Sequence, residues 1–297
     1  KIVLNNYILL SSQGALALTL AILYFTGSLS VASTIVSYSL SHLLSFAFIA
    51  GTSFPGVAGV LRARIRWAEY RTMLKYSLTI HAGNLTQFFN YRLDAFIVNY
   101  FLGTGAVGLY LISSTLGETL WLLSASMASV LFPTIAGQHE KSKEIVIKAA
   151  LGTLGLSLLG GAAAFLVGPI LIPLLFGFKF IGSIDPFLIL IPGVVIFSIT
   201  NVLSTYLAGT GKPVYSATIS FISFLFTVVL DIILIPRYGI VGAAVASTVS
   251  YSISSLLTVL AFLKVSRMTL REVLIVAKSM SHDMRSIVNR LRRTAGT

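Results

Sequence analysis

The chain contains no cysteine, and only 9 of its 297 residues are aspartate or glutamate. The first absence removes disulfides, thiolate metal sites and a cysteine nucleophile from consideration. The second is part of a wider shortage: 10% of residues are charged, against about a quarter in soluble domains. His42, His81, His139 and His282 show no metal-ligand spacing, and no zinc-protease helix motif occurs. Gly209-Thr210-Gly211-Lys212-Pro213 lacks both the Ser or Thr after the lysine and the Gly five residues before it that a phosphate loop needs, so it reads as a turn between helices. No nucleophile constellation or nucleotide site is present. The expectation is a protein that is not an enzyme, holds no cofactor or metal, and draws energy from an ion gradient, its substrate's gradient or another protein.

Hydrophobic residues make up 56% of the chain, with a mean hydropathy of +0.92. Eight apolar segments lie at roughly 2–25, 29–50, 76–102, 107–135, 149–176, 186–208, 213–235 and 239–263. Each is about 20 residues or longer, enough for a helix to cross about 30 Å of hydrocarbon. In lipid every backbone N–H and C=O has to be paired internally, so such spans are helices. The expected fold is all-α: a polytopic membrane protein with eight transmembrane helices.

Charge gives the expected sidedness. Of the 21 lysines and arginines, eighteen fall in gaps on one side: Lys1, the five from Arg62 to Lys75, Lys141, Lys143, Lys148, Lys212 and the eight from Lys264 to Arg293. Lys179 and Arg237 fall on the other side, and Arg92 lies inside a span. The positive-inside bias makes the rich side cytoplasmic and places both termini there, in a multi-pass protein of the cytoplasmic membrane. A net charge of +12 invites a nucleic-acid reading. These basic residues sit in short juxtamembrane gaps, however, where anionic lipid headgroups are the nearest partners, and no nucleic-acid partner is expected.

An internal echo organises the spans. Val31-Ala32-Ser33-Thr34-Ile35-Val36-Ser37-Tyr38 is nearly repeated by Val245-Ala246-Ser247-Thr248-Val249-Ser250-Tyr251. Each copy opens the second member of a helix pair running in the same direction. Such parallel repeats are a common transporter plan with substrate handled between the halves. If a half holds six helices, spans three to eight form one complete lobe and spans one and two are the last helix pair of the other. Four helices are then expected before Lys1. Chance similarity between two Ser- and Val-rich helices is the plain alternative.

Ionisable residues inside a bilayer cost at least about 2.5–3.5 kcal/mol each near a helix centre, which makes them functional candidates. Here they are Arg92 and Asp94 in the third span, Glu118 in the fourth and Asp231 in the seventh. Arg92 lies 13 residues before Gly105 and Glu118 lies 13 after it. Across a tight turn both fall at the same depth, roughly 20 Å from it, which predicts an Arg92–Glu118 pair or a polar cluster shared with Asp94. His81, Asn84, Gln87, Tyr91 and Asp94 form a stripe on one face of the third span, with Asn90 beside it.

A series of motifs resembles a known family: Asn90-Tyr91-Arg92-Leu93-Asp94 running on to Gly103, Val107-Gly108-Leu109-Tyr110, Leu131-Phe132-Pro133, Leu207-Ala208-Gly209-Thr210-Gly211-Lys212-Pro213 and Tyr238-Gly239-Ile240-Val241-Gly242. In order and spacing it is similar to the polysaccharide (O-antigen type) flippases of the multidrug/oligosaccharidyl-lipid/polysaccharide exporter superfamily, over the last eight of about twelve helices. The resemblance implies two six-helix lobes, a central cavity and alternating access that moves a lipid-linked sugar to the outer leaflet. It gives the polar residues their readings. Arg92 is expected to grip the carrier's phosphate, or else to hold Glu118 structurally. Asn84, Gln87, Asn90 and Tyr91 are expected to bind sugar hydroxyls in a hydrated cavity, or else to join helices. Asp94 and Glu118 are candidates for a coupling proton or sodium ion, or simply partners of Arg92.

Beyond the last span, Thr269-Leu270-Arg271-Glu272 reads as a capping box. The apolar stripe from Leu270 through Val273, Leu274, Ala277, Met280, Met284, Ile287 and Leu291, with basic residues off it, predicts an amphipathic helix on the anionic inner leaflet, or one docked on a partner protein. The expected organisation is a helix pair at 1–50, a basic cytoplasmic linker at 51–75, a six-helix lobe at 76–263 and a basic tail at 264–297. The leading expectation is a flippase for a lipid-linked oligosaccharide or polysaccharide precursor. The alternatives are a multidrug-type exporter and a non-transporting scaffold of a glycan-assembly complex, with glycan-assembly proteins as partners.

Overall fold

In a computed structural model the protein is helical, with no strand among the described residues, which are 2–60, 67–137 and 139–279. The chain divides into two compact units, Lys1–Tyr70 and Arg71–Thr297. The boundary falls a few residues before the expected start of the six-helix lobe at 76.

The first unit is a helical hairpin. Helix α1 (Ile2–Phe25) and α2 (Val31–Val60) meet across a turn in which Gly27 takes a left-handed φ of +68°. Ser30 ends the turn as an N-cap: its hydroxyl accepts from the Ser33 N–H at 3.1 Å, and the Ser33 hydroxyl accepts from the Ser30 N–H at 2.8 Å. This reciprocal arrangement satisfies two N–H groups that the first turn of a helix leaves unpaired.

The second unit is built from α3 (Trp67–Leu102), α4 (Thr104–Glu118), α5 (Trp121–Gly137), α6 (His139–Phe176), α7 (Ile184–Gly209), α8 (Pro213–Tyr238) and α9 (Ile240–Ser266), with a short 3-10 turn at Phe178–Ser183 before α7. Helix α7 is the hub, packed against α4, α5, α6 and α9. Glycines let helices approach it closely: a Cβ on Gly193 would lie 2.7 Å from Thr248 Cα, and one on Gly161 would lie 2.5 Å from a Val195 methyl. Small residues at such crossings are the membrane substitute for hydrophobic collapse, which lipid does not drive. Leu159, Leu166, Ile170 and Leu174 of α6 are exposed, an apolar belt suited to acyl chains.

Among the described residues five segments are long and apolar enough to cross a membrane, over Val31–Phe48, Ser142–Phe176, Phe178–Gly209, Pro213–Tyr238 and Ile240–Ser266. Helices α4 and α5 together make a sixth, bent by 44°. This corrects the single straight helix expected at 107–135: the chain breaks at Thr119–Leu120, where turn hydrogen bonds from Thr119 N to Leu116 O and from Leu120 N to Gly117 O replace the helical ladder. The expected eight would also need α1, whose described apolar stretch Gln13–Phe25 is short, and α3, which is 36 residues long but carries the polar stripe.

Turns fall where the sequence places them. Gly209 closes α7, Gly211 takes a φ of +76°, and Pro213 opens α8 at a position where its missing N–H costs nothing. After α9, the Thr269 N–H donates to Glu272 Oε2 at 2.6 Å and the Glu272 N–H to Thr269 Oγ1 at 3.3 Å, the expected capping box, opening a helix at 270–279. The Thr269 bonds hold the Glu272 carboxyl below the usual glutamate range. The tail stripe from Met280 onward, with Arg285, Arg290, Arg292 and Arg293, lies outside the described residues, as do Arg62, Arg64 and Arg66 of the linker.

Candidate functional site

A ladder of polar side chains joins α3 to α8. The Ser220 hydroxyl donates to Gln87 Oε1 at 2.9 Å, the Asn90 amide donates to Ser223 Oγ at 3.1 Å, and the Thr227 hydroxyl donates to Asn90 Oδ1. One step earlier, a Cβ on Gly83 would lie 3.1 Å from Ala217. Residue numbers rise together along both helices, so α3 and α8 run parallel and the next step brings Asp94 and Asp231 to the same level. Both carboxylates are buried, at 1% and 0% exposure.

Their surroundings differ. Asp94 accepts from the Tyr110 hydroxyl of α4, from the Ser247 hydroxyl of α9 at 3.2 Å and from the Ala95 N–H at 2.9 Å. Neither oxygen of Asp231 has a hydrogen-bond partner among the described residues. A buried carboxylate without a donor is costly. The pair forms an acidic, oxygen-rich cluster bounded by hydroxyls, a donor set suited to a hard cation or a proton.

The expected site residues divide three ways. Arg92 reaches Glu118 at 3.3 Å, with side chains 39% and 18% exposed, so the pair foreseen from the hairpin spacing is present. Glu118 is the last residue of α4, at the break. Asp94 is not part of that pair, because residues two apart on a helix do not share a face. Asn90 is fully buried and both ends of its amide are engaged by α8. Asn84, Gln87 and Tyr91 line a cavity of about 250 Å³ enclosed by α3, α5, α7 and α8.

That cavity is uncharged, and its wall mixes polar groups with apolar ones such as Ile80, Phe132, Pro213 and Ala217. Besides Asn84, Gln87 and Tyr91 it is lined by Thr200, Asn201, Ser204, Thr205, Ser216 and Ser220. Gln87 Nε2 and Ser216 Oγ are buried and have no hydrogen-bond partner among the described residues. Its inner end meets four aromatic rings: Tyr91 lies 4.7 Å from Trp121 between centroids, Trp121 lies 5.2 Å from Phe197, and Phe197 lies 5.3 Å from Tyr251. His81 is exposed and lines a shallower surface depression with Leu74 and Leu78.

The sequence reading passed over Tyr110, Ser247, Ser223 and Thr227. A signal was available for the last two: Ser216, Ser220, Ser223, Thr227 and Asp231 recur at helical spacing along the otherwise apolar α8, mirroring the stripe on α3.

Comparison with known proteins places this geometry. The family model described as "Polysaccharide biosynthesis protein" matches residues 3–185. A "Probable flippase AglR" of Haloferax volcanii is 25% identical over 235 residues, covering 75% of this chain and 45% of that protein. The "Probable low-salt glycan biosynthesis flippase Agl15" of the same organism is 25% identical over 192 residues, covering 63% of this chain and 41% of that protein. The chain therefore spans less than half the length of these relatives. Among solved structures, "Lipid II flippase MurJ, inward closed conformation" superposes with a TM-score of 0.67 at 14% identity, over 94% of this chain and 60% of that one. A Vibrio cholerae MATE transporter superposes with a TM-score of 0.66 at 18% identity, over 90% of this chain and 63% of that one. At these identities the likeness is one of fold.

Proposed function

Because this chain belongs to the polysaccharide biosynthesis protein family, within the multidrug/oligosaccharidyl-lipid/polysaccharide exporter superfamily, we propose that it serves in a flippase for a lipid-linked oligosaccharide or polysaccharide precursor. The observation that carries the reading is Arg92: a guanidinium on a membrane helix, held by a single 3.3 Å contact and left partly open at 39% exposure. An arginine kept at that depth with spare donors suits a phosphate or pyrophosphate, which offers paired oxygens to a planar fork. Glu118 occupies the guanidinium in the structure, so a carrier phosphate reaching Arg92 takes over a place that a carboxylate now fills.

In this reading Asp94 is the coupling-ion residue, and Asp231 joins it as the second carboxylate. Glu118 serves Arg92 rather than the ion. Asn90 shapes the carboxylate cluster, since its amide is committed to Ser223 and Thr227. Asn84, Gln87 and Tyr91 face about 250 Å³, below the roughly 300–1,000 Å³ of ordinary ligand pockets, so of a glycan they would meet one sugar ring at most. The basic end of the second unit, with Lys75, Lys212 and Lys264, faces the cytoplasm and its anionic lipids, and the membrane is the cytoplasmic one. The relatives named as flippases favour this reading over a multidrug exporter or a scaffold.

The test is transport by the full-length protein in proteoliposomes, read with a fluorescent pyrophosphate-linked oligosaccharide carrier. Arg92→Ala should abolish flipping without reducing the amount of inserted protein, and Arg92→Lys should retain part of it. Normal flipping by Arg92→Ala would discard the phosphate role.

A further inference from the structure

The uncharged cavity and the acidic cluster are separate in space, yet they lie in line. Along α3 the cavity lining runs from Thr79 to Tyr91, along α7 from Ala208 back to Phe197, and along α8 from Pro213 to Ser220. All three tracks begin at the bundle end that carries Lys75, Lys212 and Lys264 and run inward. The α3 track covers about 18 Å at 1.5 Å per residue. It stops at Tyr91, one turn short of Asp94. On α9, Tyr251 lies one turn on the same side of Ser247, whose hydroxyl donates to Asp94 at 3.2 Å. The rings of Tyr91, Trp121, Phe197 and Tyr251 therefore stand between the cavity and the carboxylates.

From this alignment we infer that the cavity is an aqueous half-channel, by which a monovalent cation or proton passes between the basic end of the bundle and the Asp94–Asp231 cluster, with the four rings as its inner gate. The inference rests on the coupling-ion reading of that cluster. Two observations favour a conduit over a binding pocket for a larger molecule. The volume holds several waters at roughly 30 Å³ each. The lining offers hydroxyls and amides and no fixed charge, so an ion is solvated on the way without being trapped, the condition for conduction.

The absence of cysteine in this chain makes the inference directly testable by thiol accessibility in the full-length protein, with labelling read by mass spectrometry on peptides from this region. A cationic, membrane-impermeant methanethiosulfonate is applied to the face carrying Lys212. Ser204→Cys, in the channel, should react about tenfold or more faster than Thr227→Cys beyond the gate, because a sealed thiol reacts only through local opening. Tyr91→Ala should make Thr227→Cys reactive, while Tyr91→Phe, which keeps the ring, should leave it protected. Modified Ser204→Cys should lose ion-driven flipping. If Ser204→Cys is as unreactive as Thr227→Cys, or Tyr91→Ala leaves Thr227→Cys sealed in protein inserted at the normal level, the half-channel is refuted. If Asp94→Asn abolishes ion dependence but modified Ser204→Cys transports normally, the ion site stands and the route fails. If the labelling pattern holds but Asp94→Asn and Asp231→Asn both keep the ion dependence, the ion reading fails and takes the ion-carrying role with it.

Discussion

Arg92 and Glu118 lie on either side of the Gly103 turn and meet at 3.3 Å, with the carboxylate on the last residue of α4. The contact ties α3 to the point where the following span breaks. If it holds the two helices in register, a double-mutant cycle of Arg92→Ala and Glu118→Ala should show a coupling of about 1 kcal/mol in thermal unfolding in detergent, the scale of a partly exposed ion pair. Strictly additive losses would mean that the pair holds nothing, leaving Arg92 to its proposed ligand alone.

The Asn90 amide is the most heavily committed rung of the α3–α8 ladder. Removing both of its bonds in Asn90→Leu should cost about 1–2 kcal/mol, taking interhelical hydrogen bonds in membranes at somewhat over half a kcal/mol each, while the Ser223 and Thr227 hydroxyls keep their bonds to Ser250 O and Ser223 O. Gln87→Leu removes one bond, to Ser220, and should cost less. Melting temperatures of the two variants decide the order. A Gln87→Leu loss larger than that of Asn90→Leu would contradict the ladder.

The two buried aspartates should respond oppositely to amidation. Asp94 accepts three hydrogen bonds, so Asp94→Asn gives up charge-assisted contacts worth about 1.5–3 kcal/mol each and should lower the melting temperature. Asp231 has no donor among the described residues, so Asp231→Asn removes an uncompensated buried acid and should leave the melting temperature unchanged or raise it in sodium-free buffer. A marked drop for Asp231→Asn would show that its carboxylate is already satisfied.

Gly193 sits where α7 crosses α9, and the Thr248 hydroxyl donates to Ile189 O at 2.7 Å in the same crossing. A methyl here meets backbone, which gives way poorly. Gly193→Ala should therefore destabilise by about 1–3 kcal/mol through overpacking. Gly152→Ala, which has open space around the added carbon, is the matched control. Equal melting temperatures for the two would rule out a close crossing.

The sequence announced its helices well because lipid leaves few alternatives: a long apolar run has to be helical, and Gly211 with Pro213 marks a turn by backbone geometry alone. The Arg92–Glu118 pair was legible for the same reason, since a tight turn and a fixed rise per residue set depth. The break at Thr119–Leu120 was not, because no proline or glycine pair marks it; Gly117 alone gives little warning. The division of labour on α3 was equally hidden. Spacing places Asn84, Gln87, Tyr91 and Asp94 on one face, but not which neighbours cover each part of it. That depends on α7, α8 and α9, remote in sequence, whose serines and threonines carry little signal singly and reveal themselves only as the partner stripe on α8.

The break after Glu118 changes what surrounds the partly exposed Arg92. A span that stops in mid-bilayer leaves the partial negative charge of its carbonyl end there, in place of the aqueous boundary where solvent would dissipate it. Arg92 meets that helix end through Glu118, so substituting the side chain leaves the backbone's share of the field in place. Neutralising Glu118 should loosen the guanidinium without expelling it, so a loss of function in that variant would trace to timing of release more than to a misplaced cation.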